Sequence, residues 1–208
     1  MNSLNDSKVA RSLARLHESA RGDSARRAAA RADGEENSLL RMGELYLSVS
    51  PEEGRLLYLL ARASGATSYV EFGASFGVST VYLAAAARDN GGRLVTTEVH
   101  PRKCAATRNV LADAGLGDVV TLLEGDARRT LRDADGGIGF VFLDGWKSMY
   151  LPVLQILLPK LRAGALVAAD NIDHEGARDY AHKIRSDAAF VSHTLGKMEL
   201  SCYTGDPA

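Results

Sequence analysis

Apolar positions along this chain fall into short continuous runs separated by stretches with helical spacing. The runs predict strands over residues 67–72, 93–98, 119–123, 138–143 and 165–169, each bounded by turn residues. Between them, apolar residues recur every three to four positions, predicting helices over 78–88, 101–114, 127–132, 150–161 and 177–186. Two further strands, 190–195 and 198–203, are joined by Gly196-Lys197 and read as a hairpin. Ahead of the first strand, Ser50-Pro51-Glu52-Glu53 is a strong helix start, with serine at the N-cap, proline at N1 and glutamate at N3. That helix runs through Leu56, Leu57, Leu59 and Leu60 and ends near Gly65. Regular strand–helix alternation predicts an α/β fold: a Rossmann-like, doubly wound, seven-stranded sheet whose hairpin supplies an antiparallel C-terminal edge strand.

Residues 1–46 differ from the rest of the chain. Val9, Leu13 and Leu16 give one short apolar stripe, and residues 3–33 read as helical. From Lys8 to Asp33 there are seven Lys or Arg against three acids. The plain reading of this basic extension is a surface helix or arm. The sharper ones are a lid, a homodimer contact or an RNA-binding arm. The division is an N-terminal helical extension over 1–46 and one domain over 47–208, a length that supports a substantial core. The formal charge of −1 gives no global field for nucleic acid or an acidic membrane. No run of about eighteen apolar residues predicts a membrane span, and residues 1–7 lack the apolar core of a signal peptide. Cys104 and Cys202 have neither metal-site spacing nor a disulfide framework, which fits the cytoplasm.

Chemistry concentrates at the predicted strand ends, where parallel α/β sheets bind their ligands. Gly73 and Gly77 form a G-x-x-x-G turn after the first strand. The middle glycine that admits a pyrophosphate in dinucleotide sites is missing. Glu71, at the same strand end, would attract an ammonium or ordered water and repel phosphate. Glu98 ends the second strand, where a carboxylate accepts from ribose hydroxyls. Gly125-Asp126 follows the third, where a carboxylate accepts from an adenine amino group. Ammonium, ribose and adenine together describe S-adenosylmethionine. Asp144 and Asp170 end the fourth and fifth strands and Asn171 follows, an all-oxygen set suited to Mg²⁺ or a similar cation. Lys147 lies three residues past Asp144. A lysine beside a divalent cation in a semi-buried cleft gives up its proton more readily, so Lys147 is the candidate base. Trp146, the single tryptophan, is placed to wall the cofactor or an aromatic substrate.

These residues resemble a known family. Asp144-Gly145-Trp146-Lys147-Ser148-Met149-Tyr150-Leu151-Pro152 is similar to the signature segment of catechol O-methyltransferases, and Ala169-Asp170-Asn171 to their paired metal ligands. Val49-Ser50-Pro51-Glu52-Glu53-Gly54 resembles the cofactor-covering segment of metal-dependent O-methyltransferases of the caffeoyl-CoA type. The resemblance spans roughly 47–203 and implies a class I S-adenosylmethionine methyltransferase with Mg²⁺. It implies cofactor contacts from Val49, Glu71, Gly73, Ser79, Glu98, Ala127 and Asp144, metal binding by Asp144, Asp170 and Asn171, and Lys147 as base. Gly145 departs from a larger residue and would loosen the cofactor pocket. Arg128 stands in place of a neutral polar residue. Glu199 falls near a position where the catechol enzyme has a substrate-binding carboxylate.

The favoured reaction is methyl transfer to a small-molecule acceptor with vicinal hydroxyls, of the catechol type. Its first rival keeps the chemistry and takes a hydroxylated uridine in tRNA, with the basic arm on RNA. The second is a nicotinamide-binding oxidoreductase, and the third a binding protein with a vestigial site.

Overall fold

The computed structural model describes residues 2–23, 25, 26, 28 and 43–205. Seven strands form one sheet: β1 (Ser68–Phe72), β2 (Arg93–Glu98), β3 (Val120–Glu124), β4 (Ile138–Leu143), β5 (Leu161–Ala169), β6 (Phe190–Leu195) and β7 (Met198–Tyr203). Their order is β3-β2-β1-β4-β5-β7-β6. The first five are parallel, and β7 runs antiparallel to both β5 and β6. The closing strand thus sits one place inside the edge, and β6 is outermost. The helices include α1 (Ser7–Ala20), α2 (Pro51–Ala63), α3 (Val78–Asp89), α4 (Pro101–Ala114), α5 (Ala127–Thr130), α6 (Tyr150–Leu157) and α7 (Arg178–Ser186).

Central parallel strands are covered on both faces, so β4 is buried at every position. Side chains alternate across the pleat. Tyr69, Phe140 and Phe142 enter one core with Leu57, Leu83 and α1, while Val70, Val141 and Leu143 enter the other with Tyr150, Leu154 and Tyr180. The order reverses between β1 and β4, which places their carboxyl ends beside a crevice.

Local chemistry sets several boundaries. The Glu53 N–H donates to Ser50 Oγ at 3.2 Å and the Ser50 N–H to Glu53 Oε2 at 2.7 Å, closing the capping box on α2. Helix α6 ends at Leu157, four residues before its expected end, because Pro159 sits in a 3₁₀ turn over Leu158–Lys160. Proline has no N–H to continue the helix, so the chain turns and β5 begins early, at Leu161.

The basic extension is docked where it is described. Val9, Leu13 and Leu16 of α1 are buried in the first core. Ser3 ties to Asp89 through its N–H (2.8 Å) and hydroxyl (2.6 Å), and His17 lies 3.0 Å from the Tyr82 hydroxyl. Arg15, Arg21 and Arg26 pair with Asp113, Glu18 and Asp23. Residues 24, 27 and 29–42, which include much of the expected arm, lie outside the described residues. Among the described residues, no helix is long and apolar enough to cross a membrane.

Candidate active site

Two adjoining hollows open at the carboxyl ends of β1, β2, β4 and β5. The larger, about 730 Å³, is lined by the β1–α3 turn, Glu98, Asp126, Ala127, Asp144, Trp146 and Lys147, with Leu45–Ser48 across it. The smaller, about 350 Å³, is lined by Leu47, Ser48, Asp170, Asn171, Asp173, His174 and Lys197. Leu47, Ser48, Asn171 and His174 belong to both.

The glycine turn is shaped for close backbone approach. Gly73 has φ +103°, and a Cβ there would stand 2.8 Å from the Gly145 nitrogen. The N–H groups of Gly73 and Ala74 donate to the Thr97 carbonyl at 3.2 and 2.9 Å, binding the turn to β2. Glu98 is fixed by the backbone: Ser75, Val99 and His100 donate to its carboxylate at 2.8, 2.8 and 2.9 Å. Asp126 caps α5, accepting from the Arg128 N–H at 2.9 Å. Its carboxyl is held below the usual range by the Arg128 guanidinium, which binds it at 2.6–3.1 Å. Arg128 therefore already occupies the acid expected to read adenine.

Glu71 is fully buried beneath this turn. The hydroxyls of Ser79, Thr80 and Thr96 each donate to its carboxylate at 2.6 Å. Burial pushes its pKa up against those three donors. It does not line either hollow; Ser79 does, while holding it. Val49 also lies in the core rather than on the hollow, and its neighbours Leu45–Ser48 take the lining positions. Gly145 needs its missing side chain, because a Cβ there would collide with the Phe72 ring. Phe72 fills the space that a larger residue at 145 would occupy.

At the β4 and β5 ends the chemistry is less settled. Lys147 Nζ donates to Asp144 Oδ1 at 2.9 Å and to the Tyr150 hydroxyl at 2.7 Å. That hydroxyl donates to the Asp170 carbonyl at 3.0 Å, fixing the lysine to the β5 end. Burial pushes Asp144 up to about 7, opposed by Lys147 and reinforced by the like charge of Asp170. Asp170 is also raised by burial, against the pull of Lys197. Its Oδ2 lies 3.5 Å from Lys197 Nζ, which also pairs with Glu53 at 3.1 Å. Its Oδ1 is buried with no hydrogen-bond partner among the described residues. Asn171 follows in the left-handed region, φ +52°, a conformation that asparagine tolerates better than most residues.

Residues 70–172 match the family model described as a methyltransferase domain. A catechol O-methyltransferase from Mycobacterium tuberculosis is 34% identical over 153 residues, covering 73% of this chain and 69% of that protein. The chain belongs to the catechol O-methyltransferase family. Another such enzyme, from Niastella koreensis, is 34% identical over 144 residues, covering 67% of this chain; the chain spans only 65% of that relative's length. The solved structure of the O-methyltransferase TomG from Streptomyces achromogenes, in complex with S-adenosylmethionine, matches with a TM-score of 0.73 at 25% identity. The match covers 93% of this chain and 90% of that one.

Asp144, Asp170 and Asn171 offer oxygen donors of the kind a hard cation takes. Among the described residues no three His, Cys, Asp or Glu cluster as a metal group, so the third ligand would be the Asn171 amide oxygen. The orphaned Asp170 Oδ1 is the observation that asks for one: a buried oxygen without a donor is costly. Glu199 lines neither hollow. It is buried, and Arg185 (Nε 3.0 Å, Nη2 2.8 Å) and the Thr194 hydroxyl (2.6 Å) hold its carboxylate.

Sequence reading missed several lining residues. Tyr46 stacks on Phe76 at 4.4 Å, and the Ser75 hydroxyl donates to the Tyr46 carbonyl at 2.6 Å, so residues 45–48 form a strap over the larger hollow. The Leu47 N–H donates to Asp23 Oδ2 at 2.8 Å, tying the strap to the extension. His174, Lys197 and Lys103 also line the hollows. Only Lys197 carried a signal, as the polar tip of a hairpin aimed at the strand ends.

Proposed function

We propose that this protein transfers a methyl group from S-adenosylmethionine to one of two vicinal hydroxyls on a small catechol-like acceptor, with a divalent cation, Mg²⁺ or similar. The observation that carries the reading is the Asp144–Lys147–Tyr150 constellation beside the orphaned Asp170 oxygen, where the two hollows meet. The larger hollow takes the cofactor and the smaller admits the acceptor.

The Gly73 turn lets the cofactor's amino-acid end approach the backbone, and Glu98 accepts from the ribose. Ala127 and Trp146 wall the adenosine, with Asp126 left to act through its pair with Arg128. Asp144, Asp170 and Asn171 would hold the cation, which when bound makes an acceptor hydroxyl more acidic. Tyr150 and Asp144 fix the Lys147 amine, which takes the hydroxyl proton at Nζ. The strap and Trp146 exclude water and align the acceptor oxygen with the donor, the main contribution a protein makes to such a displacement. Cys104 is buried with its thiol pushed up to about 11 by that burial, and both cysteines are free, as suits the cytoplasm.

The testing experiment is a methyl-transfer screen with catechols, hydroxycinnamates, flavonoids and total tRNA, each with and without Mg²⁺. Cation-dependent methylation of a catechol supports the reading. Methylation confined to tRNA moves the acceptor to RNA, and no transfer to any of them refutes it.

A further inference from the structure

Lys103, in the first turn of α4, is an unusual lysine. It is 5% exposed, lines the larger hollow, and among the described residues makes no hydrogen bond or ion pair. Its Nζ lies 5.5 Å from the centroid of the Phe76 ring. Tyr46 of the strap stacks on that same ring. Desolvation lowers its affinity for the proton, opposed by the charges of Glu98 and Asp23, neither of which is in ion-pair contact. A largely desolvated ammonium without a partner is costly, and groups in this state concentrate where a ligand completes them.

The state of Glu98 indicates what the ligand offers. A carboxylate has about four lone-pair sites, and three backbone N–H groups already use Glu98. Room remains for one incoming hydroxyl. A ribose presents two, side by side, and the oxygen of the second needs a donor. Lys103 stands five residues beyond Glu98 on the same strand–helix unit and lines the same hollow.

We propose that Lys103 is a cofactor-specificity residue that donates a hydrogen bond to one ribose hydroxyl of the adenosyl cofactor while Glu98 accepts from the other. This rests on the methyltransferase reading. The diol is then read by one acceptor and one donor. Glu98 alone would hold a deoxyribose nearly as well at the second position, and Lys103 removes that tolerance.

The test is calorimetric binding of S-adenosylhomocysteine and its 2′-deoxy and 3′-deoxy analogues to the wild-type chain and to Lys103→Met, which keeps the apolar stem. Wild type should lose roughly 10- to 100-fold in affinity for each deoxy analogue, the range of a charge-assisted hydrogen bond. Lys103→Met should bind the parent ligand weaker by a similar factor. It should lose the penalty for one deoxy position and keep it for the other. Lys103→Gln, retaining a neutral donor, should fall between and serves if the methionine variant does not fold. Unchanged affinity in Lys103→Met, or two deoxy penalties that both persist, would overturn the assignment and leave the methyltransferase reading standing. Failure of the wild-type chain to bind S-adenosylhomocysteine at all would take both down.

Discussion

The β1–β2 side of the crevice and the β4–β5 side are built on opposite principles. On the first side the strand-end carboxylates are satisfied from within, although Thr97 Oγ1 and His100 Nδ1 are not: three hydroxyls close around Glu71, three backbone N–H groups around Glu98, and the glycine turn is pinned to the Thr97 carbonyl. On the second, Asp144 and Asp170 are both pushed up by burial, Asp170 Oδ1 has no partner among the described residues, and Asn171 is held left-handed. The satisfied carboxylates of the first side belong to a preformed cradle. The unsatisfied side is incomplete without a charge from outside, and reactive groups belong where such strain is kept.

The largest effect should come from removing the lysine of the β4–β5 side, Lys147, which is held by Asp144 and Tyr150. Lys147→Ala should lower kcat roughly 10²- to 10⁴-fold, the usual worth of a general base, with cofactor affinity near wild type. The loss should shrink for acceptors with acidic hydroxyls, such as nitrocatechol, which ionise without help. Steady-state kinetics over an acceptor series, paired with calorimetry, reads both. An equal loss on every acceptor would mean a misaligned site instead.

Next is Asp170→Asn, where the comparison makes opposite demands on stability and activity. Cation affinity should fall roughly 10- to 100-fold or more. The metal-free protein should gain stability, because one buried charge and its repulsion with Asp144 are gone. A gain of about 1 kcal/mol would raise Tm by roughly 2–4 °C. A lower Tm in metal-free buffer would show that the carboxylate is structural.

On the satisfied side the same kind of change should only destabilise. Thr96→Val removes one of the three donors to Glu71 and should cost about 1–3 kcal/mol in urea unfolding, with KM for the acceptor unchanged.

How far these two sides were legible in the sequence differs for a physical reason. The bounds of β2, α4, β4 and the hairpin follow from burial period, turn residues and Pro101, all local signals. So do the Ser50 capping box and the catalytic candidates at the strand ends, each placed by the strand before it. Pro159 was equally local, but the apolar run through Leu158 and Leu161 masks its break. What surrounds each acid was not legible. The Glu71 hydroxyls come from two other elements, Lys197 reaches Glu53 from far along the chain, and Lys103 reads on paper as one more surface lysine at a helix start. Such pairings are made by the tertiary fold and leave no periodic trace.

The smallest effect on catalysis is expected at Glu199, outside both sides. Burial pushes its carboxyl up, but the Arg185 and Thr194 hydrogen bonds and the Arg185 charge outweigh it, so its folded pKa lies below the unfolded value. Its contribution is therefore present above about pH 4.3 and is lost as pH falls through the lower, folded value. Glu199→Gln should lower Tm at neutral pH, flatten the acid limb of the stability profile and leave kcat and KM unchanged. A raised acceptor KM would restore Glu199 to the substrate site.

Completion of the β4–β5 side by a divalent cation can be measured without turnover. Mn²⁺ can stand in for Mg²⁺ and be titrated into the S-adenosylhomocysteine complex by electron paramagnetic resonance. The wild-type chain should show one saturable site, displaced by excess Mg²⁺ and lost in Asp170→Asn. A wild-type titration with no saturable site, or a site that survives Asp170→Asn undiminished, would contradict that completion.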